Sequence, residues 1–409
     1  MIDTSEITEK VILFAVDTGS GDDVSKSLEE LSELVKTAGA ICVGTLIQNL
    51  DHPETATYLG SGKCEELRTL IEASDATGCV CDDELTPMQL EHLTEILGVK
   101  VLDRTMVILD IFAGRAKTRE GKVQVEMAQL KFSMKRLVGM RNSLSRLGGG
   151  IGTRGPGETK LEIDRRVIRN RVSQLERELD DIKKHREIIR KQRSESKKPT
   201  VAIVGYTNAG KSTLINRLTD AGVLAEDKLF ATLDPTSRSY TLESGQEIIL
   251  TDTVGFIRKL PHHLVNAFHS TLTEAMYADI LLHVVDISNP EADRQILTVY
   301  DTLRSLGIKD KPVITVMNKI DLVDEIPPVK DLSADRVIYL SAASSVGFSE
   351  LDQAIDDVIN AGRRYVETLI PYQNAAVISK IRSYGTLLSE DYRDDGIFIK
   401  AYVDHTMEL

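Results

Sequence analysis

The stretch Val201-Ala-Ile-Val-Gly-Tyr-Thr-Asn-Ala-Gly-Lys-Ser-Thr-Leu-Ile-Asn-Arg-Leu218 decides how this 409-residue chain folds. The apolar run Val201 to Val204 has the length of a buried strand, and Thr213 to Leu218 carries a helical pattern. Between them Gly205, Tyr206, Thr207, Asn208, Ala209, Gly210, Lys211 and Ser212 satisfy G-x-x-x-x-G-K-[ST] at every required position. Strand, glycine loop and helix in that order are the setting in which loop N–H groups turn inward around phosphate oxygens. Lys211 then neutralises the outer phosphates, and the Ser212 hydroxyl ligates Mg2+. The fold class that follows is α/β, with a doubly wound, mostly parallel sheet.

Downstream, a second apolar strand, Ile248 to Leu250, leads into Asp252, Thr253, Val254 and Gly255. An acid here binds Mg2+ through water, and the Gly255 N–H meets a terminal phosphate. A third strand, Val313 to Met317, runs into Asn318, Lys319, Ile320 and Asp321, similar to the guanine-specificity motif of GTPases. The Asp321 carboxylate can accept from both N1–H and the exocyclic amine of guanine, whereas adenine offers an acceptor at N1 and no amine beside it. Lys319 lies along the base with its aliphatic stem, and Asn318 ties this loop to the phosphate loop. Ser341, Ala342 and Ala343, after the strand Val337 to Leu340, resemble the last base-contacting element. A phosphate-sensing threonine belongs between the glycine loop and Asp252; Thr232 is the choice and Thr236 the alternative, because spacing does not separate them. Lys211, Thr232 and Gly255 are the expected catalytic groups, and Ser212 and Thr232 the direct Mg2+ ligands.

Many GTPases orient the attacking water with a glutamine just after the D-x-x-G glycine. That position is Phe256, which can neither accept a proton nor orient water, so hydrolysis is expected to be slow without help. A partner that orders the switches is one source of help; K+ beside the phosphates, suggested by Asn208, is another. His262 and His263 read as surface residues and His283 as a satisfied core histidine.

Around this centre the chain divides into four segments. Residues 1–113 alternate strand-like and helix-like runs, an N-terminal α/β subdomain. Residues 114–198 repeat apolar positions at intervals of four and three, through Val123, Met127, Leu130, Met134 and Leu137 and again through Ile168, Val172, Leu175, Leu179, Ile182 and Ile189. Two such series predict a long antiparallel helical hairpin. Residues 199–364 form the nucleotide domain, and 365–409 a small C-terminal α/β module with a helix near Ala375 to Tyr384 and a strand at Ile397 to Val403.

The whole chain carries a net charge of −13, which argues against generic nucleic-acid binding. Yet Gly114 to Lys198 holds 24 Lys+Arg against 11 Asp+Glu, a local +13 that leaves −26 for the remainder. A basic island on an acidic chain is the footprint of a polyanionic partner. Between the two helical series Gly148 to Gly157 contains six glycines, flanked by Arg141, Arg146, Arg154 and Lys160. A mere turn needs only a few residues; this backbone-rich tip is read as a probe for an RNA crevice, with those four residues as contact candidates. The competing reading is a GTP-controlled switch whose hairpin clasps a protein or an anionic membrane.

An ordinary globular composition excludes wholesale disorder, and no apolar run approaches the ~18 residues that cross a bilayer. The N-terminus lacks a basic, then long apolar, leader pattern, so a cytoplasmic location is expected. Cys42, Cys64, Cys79 and Cys81 match no zinc or redox spacing and read as small buried thiols.

Several stretches together resemble the HflX-type GTPases, a ribosome-associated family: Ala56-Thr-Tyr-Leu-Gly-Ser-Gly-Lys63, Asp103-Arg-Thr-Met-Val-Ile-Leu-Asp-Ile-Phe112, Gly149 through Arg166, and Phe230-Ala-Thr-Leu-Asp234. The glycine-rich run into Gly155-Pro-Gly-Glu-Thr-Lys-Leu-Glu-Ile-Asp-Arg-Arg166 is the most specific mark. The resemblance implies binding to the large ribosomal subunit, a hairpin reaching the core of its ribosomal RNA, hydrolysis stimulated by ribosomes, and splitting of stalled or idle ribosomes under stress. Carried over by position, Phe230, Ala231, Thr232, Leu233 and Asp234 contact the nucleotide, and Ser341 to Ala343 face the base.

Overall fold

The computed structural model describes residues 8–19, 21, 23–147, 160–195, 198–219, 229–259, 261 and 274–403. The chain forms two compact units, Met1–Ile182 with Lys259–Ala267, and Lys183–Arg258 with Phe268–Leu409.

In the first unit β1 (Lys10–Asp17), β2 (Ile41–Asn49), β3 (Gly78–Cys81) and β4 (Lys100–Asp103) make an all-parallel sheet in the order β2-β1-β3-β4. Parallel strands need helical crossovers. These are α1 (Val24–Thr37), α2 (Ser61–Ala73) and α3 (Pro87–Leu97). Asp23 caps α1 by accepting from Ser25 N and Lys26 N, and Leu28, Leu31, Leu34 and Val35 put one face of that helix in the core. Thr86 and Gln89 form a reciprocal capping box on α3, with Pro87 at its first turn and Gly98 closing it in the left-handed region. Cys64, Cys79 and Cys81 are buried in this core as free thiols, and burial raises the pKa of each.

Then come α4 (Arg104–Arg115), α5 (Arg119–Leu147) and α6 (Lys160–Glu195). The apolar series pack as a seam: Val123, Met127 and Leu130 of α5 meet Ile168, Val172, Leu175 and Leu179 of α6. Arg119 pairs with Glu178 and Glu126 with Arg171, an order that sets the helices antiparallel. Leu175 is fully buried in the seam, so Leu175→Ala should cost about 2–5 kcal/mol. Urea unfolding followed by circular dichroism measures it; a loss under 1 kcal/mol would mean the seam does not hold the helices in solution.

Buried charge closes the C-terminal edge of this sheet. Asp82 accepts from Ser27 Oγ (2.7 Å), Arg104 Nη1 (2.8 Å) and Lys259 Nζ (2.5 Å). Arg104 also pairs with Glu30, and Arg136 with Asp103 (2.6 Å). Lys259 reaches Asp83 as well (2.6 Å), whose other oxygen accepts from Tyr58 Oη. Asp82, Asp103 and Arg104 are buried, and charges so far from water persist only when paired.

The second unit holds a six-stranded sheet in the order β10-β9-β8-β5-β7-β6, formed by β5 (Thr200–Gly205), β6 (Ser237–Thr241), β7 (Glu247–Asp252), β8 (Ile280–Asp286), β9 (Val313–Asn318) and β10 (Arg336–Tyr339). Only β6 runs antiparallel. Val201, Ile203, Leu250, Leu282, Val284, Ile314 and Val316 build its core with α7 (Lys211–Thr219) and α9 (Phe348–Ala361), while α8 (Ala292–Ser305) buries Ile296, Val299 and Leu303. The expected doubly wound sheet is therefore present. Strand order reverses at β5, which lies between β8 and β7, and a crevice at such a switch point is where α/β sheets bind ligands.

A separate antiparallel sheet, β11 (Arg364–Ile370), β13 (Gly396–Val403) and β12 (Thr386–Arg393), packs α10 (Ala376–Tyr384) through Ile370, Ile378, Ile381, Ile397 and Ile399. Sequence reading found the helix and the last strand here but neither β11 nor β12.

Candidate functional site

At the C-terminal end of β5 lies an open cleft, about 400 Å³ with the solvent space at its mouth included, lined by Thr207, Asn208, Gly210, Lys211, Ser212, Thr213, Phe230, Ala231, Thr232, Thr253 and Gly255. The glycine loop, the Thr232 segment and the Asp252 segment, separate in sequence, meet around it.

Close packing explains the loop's residue types. Gly210 has φ +95°, and a Cβ there would fall 2.2 Å from Asn318 Nδ2; a Cβ on Gly255 would fall 2.8 Å from Thr207 Cγ2 and 3.1 Å from Lys211 Nζ. Asn208 (φ 63°), Phe230 (φ 55°) and Lys319 (φ 65°) take left-handed backbone that non-glycine residues rarely adopt. Such conformations cluster at ligand sites, where the surrounding structure holds them.

Lys211 is buried, and its ammonium donates to the carbonyls of Gly205 (3.1 Å) and Tyr206 (2.6 Å). Burial pushes its pKa down to about 8, opposed by the charge of Asp252. Burial likewise raises the pKa of Asp252, with Lys211 the main opposing influence. Ser212 Oγ lies 2.9 Å from Thr232 Oγ1 and 3.3 Å from Asp252 Oδ2. Two hydroxyls and a buried carboxylate at one corner are a hard-oxygen donor set that fits Mg2+. Thr236, the alternative to Thr232, instead gives its backbone carbonyl to the Asp252 N–H.

Asn318 joins the base loop to the phosphate loop: its Nδ2 donates to Ala209 O (2.8 Å), and its Oδ1 accepts from Ala342 N (2.9 Å). One side chain thus links the phosphate loop, the Asn318–Asp321 turn and the Ser341–Ala343 segment. Lys319 Nζ is held by Asp286 at 2.6 Å, and Asp321 sits in the 3-10 turn Ile320–Leu322. Arg217 of α7 donates to Ala343 O (3.0 Å).

Phe256 is buried, and its backbone is stitched to the phosphate loop. Thr207 N donates to Phe256 O (2.8 Å) and Phe256 N to Gly205 O (3.1 Å). The Tyr206 hydroxyl accepts from Arg258 N (2.8 Å). This backbone pairing carries no sequence motif. His283 is buried, but its Nδ1 is 3.5 Å from Asp331 Oδ2, beyond a normal hydrogen bond, so the expected satisfied histidine is only loosely partnered. Burial lowers its pKa, which keeps it neutral. Asp331 accepts from Tyr300 Oη (2.8 Å) and Thr315 Oγ1 (2.7 Å) and braces β9 behind Asn318. Arg154, His262 and His263, the side chains of Arg141, Arg146 and Lys160, and the tip Gly148 to Gly157 lie outside the described residues.

The chain is similar to known proteins over nearly its whole length. Residues 25–113 match the family described as GTP-binding GTPase N-terminal, residues 115–193 the GTP-binding GTPase Middle Region, and residues 200–319 the 50S ribosome-binding GTPase family. A protein named GTPase HflX from Lacrimispora saccharolytica is 59% identical, over 98% of this chain and 95% of its own length. The GTPase HflX of Caldanaerobacter subterraneus subsp. tengcongensis is 50% identical over 97% and 91%, and that of Escherichia coli K12 is 39% identical over 97% and 93%. Among solved structures, a GTP-binding protein from Sulfolobus solfataricus in complex with GDP aligns with 25% identity and a TM-score of 0.43 over 86% of this chain and 98% of that one.

Proposed function

The chain belongs to the HflX family of GTPases, and from that premise we propose that the cleft at the end of β5 is its GTP site and the basic hairpin its contact with the large ribosomal subunit. It is a GTPase that binds guanine nucleotide and associates with the ribosome. The observation that carries the site assignment is the double hydrogen bond of Asn318, which joins the phosphate loop to the segments read as base-binding.

In this reading residues 199–364 form the catalytic domain. Lys211 leaves its two loop carbonyls for the β and γ phosphates, and Gly255 N–H meets the γ phosphate. Ser212 and Thr232 would hold Mg2+ directly and Asp252 through water. When bound, Mg2+ neutralises charge that builds on the phosphate oxygens. Phe256 supplies no water-orienting group, so the isolated protein hydrolyses GTP slowly and the ribosome accelerates it. Asn208 is the residue toward which K+ would bind. Among the described residues no helix is long and apolar enough to cross a membrane.

The test is single-turnover hydrolysis with and without purified large subunits, at two salt concentrations, in K+ and in Na+ at equal ionic strength. At least tenfold stimulation, weakened by salt and by the Arg154→Ala, Lys160→Ala double variant, is expected, because phosphate contacts are salt-dependent. Equal rates in K+ and Na+ would remove the role given to Asn208. Salt-insensitive stimulation unaffected by the double variant would remove the hairpin's role. Light-scattering decay of 70S particles on addition of the GTP-bound protein tests the further step, splitting of ribosomes.

A further inference from the structure

Thr207 is the third residue of the glycine loop and one of the residues that line the cleft. It is 6% exposed, and its Oγ1 is buried without a hydrogen-bond partner. The hydroxyls of Ser212, Thr232 and Thr253 in the same cleft all have partners: Ser212 and Thr232 bond each other, and Thr253 donates to Ile203 O (2.6 Å). Buried polar atoms are almost always satisfied, so an orphan in a ligand cleft points to a partner that arrives with the ligand.

Its neighbours say which part of the ligand. A Cβ on Gly255 would lie 2.8 Å from Thr207 Cγ2, 2.9 Å from Thr207 Cα and 3.1 Å from Lys211 Nζ. Thr207, the Gly255 α-carbon and the Lys211 ammonium therefore converge on one place, the place assigned above to the γ phosphate. The backbone N–H of Thr207 is already committed to Phe256 O, which leaves the hydroxyl as the group this residue can offer.

We propose that Thr207 is a further catalytic residue, whose hydroxyl donates to a γ-phosphate oxygen and accepts a hydrogen bond from the attacking water. A hydroxyl is donor and acceptor at once, so one side chain can bridge nucleophile and phosphoryl group. The water oxygen forms the new bond to the γ phosphorus. The bond from that phosphorus to the bridging oxygen breaks, its electron pair leaving on GDP, and the water's proton ends on inorganic phosphate. Thr207 exchanges no proton; it orients the water, the task for which Phe256 has no group.

The inference rests on the cleft being the GTP site, and the experiment separates the two. Wild type, Thr207→Val and Thr207→Ser are compared in single-turnover GTP hydrolysis and in binding of a fluorescent GDP analogue. Valine keeps the methyl group packed on Gly255 and loses the hydroxyl; serine does the reverse. Thr207→Val is expected to hydrolyse bound GTP about tenfold or more slowly, ~1.4 kcal/mol of transition-state stabilisation, with GDP affinity within twofold of wild type. Thr207→Ser should stay within threefold on both measures. The proposal is overturned if Thr207→Val matches the wild-type rate, if Thr207→Ser loses as much as Thr207→Val, or if Thr207→Val loses GDP binding in proportion to its rate. Failure of the wild-type protein to bind GDP would instead overturn the site assignment itself.

Discussion

Lys211→Met is expected to weaken GTP binding by roughly 10²- to 10⁴-fold, to weaken GDP, which lacks the γ phosphate, by less, and to abolish a pH dependence that the wild-type protein shows. The magnitude follows from replacing two charge-assisted hydrogen bonds to phosphate, about 1.5–3 kcal/mol each. The pH dependence follows from burial, which pushes the Lys211 ammonium down to about 8 in the nucleotide-free protein. An arriving polyphosphate favours the charged form and raises that pKa, so binding above pH 8 takes up a proton. Affinity for GDP should therefore fall as pH rises, by about eightfold between pH 7.5 and 9. The sign for stability is opposite. An unfolded lysine keeps its proton to about 10.4, so between 8 and that value the unfolded chain binds more protons than the folded one. The cost of burying the ammonium is full below pH 8 and is relieved as pH climbs toward 10.4. Isothermal titration of wild type and variant at four pH values measures the affinity loss and its pH dependence. A flat wild-type profile from pH 7.5 to 9, or a variant within tenfold of wild-type affinity, would contradict this account of Lys211.

What could be read in advance divides along a physical line. Phosphate and base chemistry need short linear patterns at strand ends, so Gly205–Ser212, Asp252–Gly255 and Asn318–Asp321 were visible as motifs, and the sheet's reversal at β5 brings them to one edge. The α5–α6 seam was visible because its apolar positions keep a helical period over many turns. The helix α4 carries a weaker pattern: Val107, Ile108, Leu109, Ile111 and Phe112 are all buried, and of its exposed residues Asp110, Ala113 and Gly114 only one is polar, so the period is faint. In the terminal module, β12 reads Thr386-Leu-Leu-Ser-Glu-Asp-Tyr-Arg393, mostly polar and largely exposed, and carries no clean alternation. The charge network around Asp82 joins residues 22, 55 and 177 positions apart, and no local pattern encodes such pairings. Spacing left Thr232 and Thr236 equal; the structure distinguishes them, because Thr232 lines the cleft with its Oγ1 beside Ser212 Oγ. Nothing in the residue type of Thr207 signals a role, because its meaning lies in a hydroxyl left without a partner.

Asp321→Asn should exchange the nucleotide preference rather than abolish binding. A carboxylate presents two acceptors, which match N1–H and the exocyclic amine of guanine. Asparagine keeps one acceptor for N1–H and turns a donor toward the amine, so guanine meets donor against donor. Xanthine carries a carbonyl where guanine carries the amine, and there the same donor finds an acceptor. The loss for GTP combines an unmade charge-assisted bond with a desolvated, unpaired donor, about 3–5 kcal/mol, or roughly 10²- to 10⁴-fold in affinity. The turn that presents residue 321 does not depend on that side chain. Asn318 is fixed by Ala209 O and Ala342 N, and Lys319 by Asp286. The substitution therefore changes recognition and leaves the loop in place, which makes the expected result specific. Displacement of a fluorescent nucleotide by GTP and by xanthosine triphosphate measures it in one titration. Loss of both nucleotides together would mean that Asp321 shapes the loop, and unchanged preference would mean that it does not face the base.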